Sequence, residues 1–293
     1  MTKAATLHDT YSGRIAAGDR LTREEIEQLA ATHDILALGM LADEARRRTH
    51  GTRVTFVRVA GCAYDRPLAE AVPPAAREVR LIGTPPSVSV ALTAVEAARA
   101  VAGDRHVSAF SAADLQALAE SDGQPLTGFL SKLRHAGLDE PGEIPVDSLA
   151  NPEAMLEALA SAGFSAVRLT MAKPAAAERV PALLRAAALC DAYSIVRTIS
   201  PLPMTLPAFR PTTGYEDVKA VALARLAAAP ATRIQVDWLR YGPKLAQVAL
   251  TFGADDIDNV SSSDEAPDGR RRAPLEDVRR NIEAAGFIAE ERS

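Results

Sequence analysis

The chain has 293 residues, 47% of them hydrophobic, and a formal net charge of −5. That length suits one large domain. The mild acid excess, with no basic stripe, argues against a nucleic-acid surface, and no apolar run reaches the ~18 residues of a membrane span.

In chain order, Thr22 and Glu25 form a capping box that opens a first helix. Asp34 caps a second helix, Asp34 to Arg48, which ends in ARRRTHG with cations suited to the helix dipole. From Val54 short β-rich runs appear near 54–59, 79–82, 106–110, 164–170, 191–199 and 232–238. Helical stretches are predicted near 88–102, 112–120, 126–136, 151–162, 175–189, 214–228 and 242–251. Strands separated by helices of this length predict parallel βα units. About six units fit an open or partial barrel, and no GxGxxG follows any strand to favour a doubly wound sheet. The proline-rich PLPMTLPAFRP (201–211) reads as a long loop after a strand. The polar SSSDEAPDGRRRAP (261–274) reads as a mobile loop, followed by an amphipathic helix that stops at Gly286. The expected organisation is an N-terminal helical segment (1–52), a (βα) barrel (53–260), and a loop with a C-terminal helix (261–293).

Motifs for generic chemistry are absent: there is no GxSxG, HExxH, P-loop or EF-hand. The first residues, MTKAATLHDTYSG, lack a targeting core, and Cys62 and Cys190 make neither a disulfide framework nor zinc spacing. A soluble cytoplasmic protein with no metal is the expectation. The five histidines form no i+3 or i+4 pair, and His106 is the best placed, at a strand start. The cluster FGADDID brings Asp255, Asp256 and Asp258 together; they could hold a hard cation or ligand hydroxyls, but spacing alone favours a helix-capping turn. Gly83 and Thr84, between a strand and a helix capped by Ser87, could admit an anion. Cys62 reads first as a nucleophile, then as an incidental buried thiol.

The segments GDRLTREEIEQLAATHDILALGMLADEARRRTHGTRVTF, YEDVKAVALARL and WLRYGPKLAQVALTFGADDIDNV carry a family resemblance. So do HVSAFSAADLQAL and RNIEAAGFIAEER. The sequence resembles the radical S-adenosylmethionine family, in the subfamily of aminofutalosine synthase and dehypoxanthine futalosine cyclase of the futalosine route to menaquinone. F420-type cofactor synthases are more distant relatives. The resemblance implies a partial or complete TIM-type barrel with N-terminal helices and a C-terminal helical extension. It also implies a [4Fe–4S] cluster and S-adenosylmethionine, held by CxxxCxxC after the first strand. Here that place reads VRVAGCAYDRPLAEAVPPAAREVRLIG. Cys62 stands alone, ahead of the family's positions, so neither cofactor is supported. LDEPGEIPVDS (138–148) replaces the family's glycine-rich acidic loop, with Pro141, Gly142 and Glu143 as its remnant.

Two functions are expected from these departures. One is a cluster-free paralogue in the futalosine pathway, acting as a ligand-binding protein or non-catalytic partner subunit, in a homodimer or in a heterodimer with an active homologue. The other is a redox-neutral lyase, hydrolase or isomerase acting on a nucleoside-like or enol-pyruvyl carboxylate. The ligand-binding candidates at the barrel mouth are Gly83, Thr84, Arg168, Arg197, Asp237, Asp255 and Asp256, with Asp65 and Glu143 as further acid–base groups. An inward Arg168–Arg197 pair could clamp a carboxylate.

Overall fold

The computed structural model describes residues 7–68, 71–205, 214–266 and 272–292. Parts of two expected loops, 206–211 and 267–271, lie outside the described residues. Three helices come first, α1 (Leu7–Ala17), α2 (Arg23–Ala30) and α3 (Ile35–His50), before the first strand, β1 (Arg53–Ala63). Thr22 accepts from Glu25 N while the Glu25 carboxylate accepts from Thr22 N, so the expected capping box forms. Thr22→Ala should cost about 1 kcal/mol, read as a lower urea midpoint at unchanged slope.

The barrel strands are β1, β2 (Glu78–Ile82), β3 (His106–Ser111), β4 (Glu140–Pro145), β5 (Val167–Met171), β6 (Val196–Pro203), β7 (Arg233–Asp237) and β8 (Asp256–Ser261). Each pairs in parallel with the next, and β8 and β2 both pair with β1, so eight strands close a ring. The open or partial barrel expected from six units is therefore a complete one. Two strands escaped the sequence pattern. The stretch 138–148, expected as a loop, contains β4, and FGADDID, expected as a capping turn, runs into β8.

Apolar and polar residues alternate along the strands. Ile234, Val236, Leu169, Ile257 and Val79 are buried against the helices. Their neighbours Gln235, Arg168, Asp256 and Asp258 bond to one another across the lumen, and Glu78 joins them through Arg80. A barrel interior is ordinarily filled by branched apolar side chains; this one is filled by ions and amides.

The helices α4 (Val88–Ala102), α5 (Ala112–Ser121), α6 (Leu126–Ala136), α7 (Pro152–Ser161), α8 (Arg179–Ala192), α9 (Gly214–Ala227) and α10 (Trp238–Leu250) connect the strands. Asp237 caps α10 four residues earlier than expected, and a break at Gly242 (φ 77°) before Pro243 divides that helix. After α11 (Pro274–Ala284), β9 (Ile288–Glu291) pairs in parallel with the first half of β1, where β2 does not reach. Arg46 of the ARRRTHG run is buried rather than solvated. It donates to Gly51 O at 3.0 Å and lies over the Phe287 ring, 4.1 Å from its centroid. No helix among the described residues is long and apolar enough to cross a membrane.

Candidate functional site

Ligands of such barrels sit at the C-terminal ends of the strands. Beneath that face lies a salt-bridged floor. Arg80 grips both oxygens of Asp258 at 2.9 Å and reaches Glu78 at 2.7 Å. Arg168 donates to Asp258 at 2.6 Å, to Gln235 at 3.0 Å and to Gly142 O at 2.6 Å. One layer lower, Arg292 holds both oxygens of Asp256 at 2.9 Å, and Gln235 donates to Asp256 at 2.6 Å. Burial raises the Asp258 carboxyl, but Arg80 and Arg168 outweigh it and hold the group well below the usual carboxylate range. Glu78 follows the same balance and is also lowered, chiefly by Arg80 against burial.

Above the floor opens a cavity of about 250 Å³. It is lined from the ends of β1, β2, β3, β4, β7 and β8, with Gly83, Ser111, Glu143, Asp237 and Asn259 among the lining residues, and by Arg240 of α10. The β1–β8 register slips between Phe56 and Arg58, with Asn259 at φ 58°, so that Asp258 enters the floor while Asn259 reaches the mouth. Asn259 Nδ2 donates to Asp237 at 3.1 Å, and Arg240 N donates to the same carboxylate at 2.8 Å. The Arg240 guanidinium touches only the Met204 thioether, at 2.8 Å, among the described residues. Glu143 has no hydrogen-bond or ion-pair partner among them either. Gly83 has φ 106°, which favours glycine, and a Cβ there would sit 3.1 Å from the Tyr64 ring and push it by a few tenths of an ångström. Thr84 Oγ1 donates to Asp114 at 3.3 Å on the rim. Among the described residues no histidine or cysteine lines the cavity.

The expected candidates thus divide. Gly83, Thr84, Asp237 and Glu143 meet at the mouth. Arg168 and Asp256 belong to the floor and the layer below it. Arg197 lies at the opposite end of the barrel with His106, whose Nε2 is 3.4 Å from Glu140. Asp255 lies in neither cavity. It is buried beside Arg225, accepts from Ile234 N at 2.7 Å and faces His50 Nδ1 at 3.2 Å, tying α3 and α9 to the barrel wall. Asp65 does not reach the mouth cavity. Arg240 and Asn259 were not singled out from the sequence: each acquires its place from a helix cap or a register slip, and neither matches a motif.

Whether a three-thiolate cluster fits can be judged from β1. Gly61 lines the mouth, while Cys62, one residue on, is buried on the other face of the strand with its Sγ 3.7 Å from Ala60 O. Burial pushes its thiol up, away from the thiolate. Cys190 sits in α8, pushed up to about 12 by burial. These residues do not fit a [4Fe–4S] centre, which needs thiolates converging on one point.

No protein-family model matches the chain. Curated relatives align over short stretches. The 5-amino-6-(D-ribitylamino)uracil–L-tyrosine 4-hydroxyphenyl transferase of Archaeoglobus fulgidus is 35% identical over 88 residues, covering 28% of this chain and 25% of that protein. The enzyme of the same name from Methanothermobacter thermautotrophicus is 40% identical over 74 residues, 23% of this chain and 20% of that one. The chain therefore matches about a quarter or less of these relatives' lengths. They are named as a different enzyme from the futalosine synthases that the sequence resembles. Among solved structures, the hydrogenase maturase HydG of Carboxydothermus hydrogenoformans superposes with a TM-score of 0.71 at 13% identity, covering 97% of this chain and 79% of that one. Methylornithine synthase (PylB) gives 0.66 at 14% identity, covering 95% and 96%. The likeness is one of fold: of the partial or complete TIM-type barrel implied by the resemblance, the complete one is the architecture found.

Proposed function

We propose that this chain is a cluster-free barrel of the radical S-adenosylmethionine type that binds a nucleoside-like, carboxylate-bearing ligand at its mouth. Its role is that of a ligand-binding paralogue or partner subunit of an aminofutalosine synthase-type enzyme in futalosine-route menaquinone synthesis. The observation that carries the reading is a mouth cavity with a guanidinium, Arg240, and a carboxylate, Glu143, both lacking charged partners among the described residues. Arg240 suits a carboxylate, with its planar fork of donors. Glu143 suits ligand hydroxyls, for which an ionised carboxylate is an acceptor. The relatives' names support the ligand class, since a ribitylaminouracil is a heterocycle bearing hydroxyls. A redox-neutral enzyme is the second reading, with Glu143 as its base; of the other acids at the mouth, Asp237 is held by Asn259 and the α10 cap, and Asp114 on the rim accepts from Thr84.

Calorimetry with aminofutalosine-type nucleosides and with ribitylaminouracil tests the reading. One of them should bind the wild type, and Arg240→Gln should weaken a carboxylate-bearing ligand by about tenfold or more, with Glu143→Gln weakening it less. Anaerobic incubation with iron and sulfide should yield no stoichiometric cluster. Cluster assembly with S-adenosylmethionine cleavage would sink the cluster-free assignment, and absence of binding by every probe would sink the ligand. Turnover of a bound probe, read by mass spectrometry, would favour the second reading.

A further inference from the structure

A second cavity, of about 160 Å³, lies at the opposite end of the barrel, among the N-terminal ends of the strands. The floor of Arg80, Asp258 and Arg168, with the Arg292–Asp256 layer, separates it from the mouth. Its lining is mostly cationic: Arg168, Arg197, Arg233, Arg292 and His106 face two carboxylates, Glu78 and Glu140. Those carboxylates are already engaged. Glu78 takes Arg80 at 2.7 Å and Ser108 at 2.6 Å, and Glu140 faces His106. Arg292 is spent on Asp256.

Two cationic groups are then left over, together with one spare N–H of Arg168, whose other nitrogens are taken by Asp258, Gln235 and Gly142 O. Arg197 and Arg233, near the starts of neighbouring strands, pair with no carboxylate among the described residues. Arg168 is 5% exposed, and its Nε is a buried donor with no partner. A buried donor without an acceptor is costly, and native proteins rarely leave one. The space exceeds that of a single water, whose share of the liquid is roughly 30 Å³.

We propose that this cavity is a binding site for a small oxyanion, of phosphate or carboxylate chemistry, held by Arg197 and Arg233 over Arg168. Planar guanidinium forks match such groups with paired charge-assisted hydrogen bonds. Thr198, which lines the cavity one residue past Arg197, adds a hydroxyl donor. Burial lowers His106, but its hydrogen bond and charge from Glu140 outweigh that and favour the imidazolium, which adds to the positive lining. The site is distinct from the mouth, because no residue lines both cavities.

The experiment is thermal denaturation and calorimetry with inorganic phosphate and with succinate, each against chloride at equal ionic strength. Wild type and the mouth variant Arg240→Gln should both be stabilised by at least one of the two anions beyond chloride. Arg197→Gln/Arg233→Gln should bind it about tenfold or more weakly. Both side chains are exposed, so the double variant should keep the wild-type circular dichroism, and each single variant should show a partial loss. Response to phosphate alone assigns phosphoryl chemistry, and response to succinate alone assigns carboxylate chemistry. No stabilisation beyond chloride, or wild-type affinity in the double and single variants, overturns the proposal, whatever happens at the mouth.

Discussion

Asp258→Asn should destabilise the fold by about 3–5 kcal/mol, the range for breaking a buried ion pair from one side. The Asp258 carboxylate is the acceptor shared by Arg80, through both oxygens, and by Arg168. Asparagine has nearly the same shape but no charge, so two guanidiniums would stay buried against a neutral amide. The expected readout is a lower urea midpoint with the far-UV spectrum intact. Replacing Arg168 and Asp258 together with Met and Leu should cost less than the sum of the single changes, because Arg168 is then not left as an orphaned charge and Arg80 keeps Glu78. The pH dependence has a definite sign. Asp258 is lowered in the folded state, so its contribution is present above the unfolded carboxylate value of roughly 3.9 and is lost as pH falls below it. Wild type should therefore lose stability steeply below about pH 4, and Asp258→Asn should follow a flatter acid limb. An equally steep limb in the variant would show that other carboxylates set the acid transition.

The same floor explains what the sequence made legible and what it hid. Capping residues were readable because their partners are three residues away, as Thr22 with Glu25 or Asp34 with Ala37 N. The βα rhythm was readable wherever a strand is β-branched or aliphatic, as in VTFVRV of β1. Strand β4, EPGEIP, was hidden by two prolines and a glycine that normally break a strand. Gly142 is needed there for close approach, since a Cβ would lie 3.2 Å from Phe110 O. Strand β8 was hidden by its aspartates, which read as turn formers. Their partners, Arg80, Arg168 and Arg292, come from β2, β5 and beyond β9, and spacing along the chain carries no trace of that convergence. The single cysteine was legible as a loss, and the structure adds that Cys62 points away from the mouth. Asp255 was misplaced for a related reason. It neighbours Asp256 in sequence, but adjacent strand residues face opposite sides, so one enters the lumen and the other the helical layer.

Removing Arg225 should be about as costly at high pH and partly reversible at low pH. Arg225 is buried, donates to Gly253 O at 2.9 Å and Thr232 O at 2.8 Å, and pairs with Asp255. Arg225→Met leaves Asp255 with Ile234 N and His50, and the loss should be about 3–5 kcal/mol at pH 8. His50 changes role in the variant. In the wild type burial lowers its imidazolium, Asp255 opposes that only in part, and Arg225 adds to the lowering. A lowered histidine contributes stability above the unfolded value of roughly 6.5 and loses it as pH falls. Without Arg225 burial and Arg46 still oppose the imidazolium, but Asp255 and Pro230 O act against less, and His50 is expected to protonate more readily, with Nδ1 facing Asp255 at 3.2 Å and Nε2 facing Pro230 O at 3.0 Å. Once the folded value exceeds the unfolded one, the contribution is complete below about pH 6 and disappears as pH rises through the folded value. The variant should therefore regain about 1 kcal/mol or more relative to wild type between pH 8 and pH 5.5, one pKa unit being worth about 1.4 kcal/mol. His106 titrates in both proteins and cancels in the difference. Adding His50→Phe should abolish the recovery. Parallel stability profiles for wild type and Arg225→Met over this range would show that His50 does not take over the buried carboxylate.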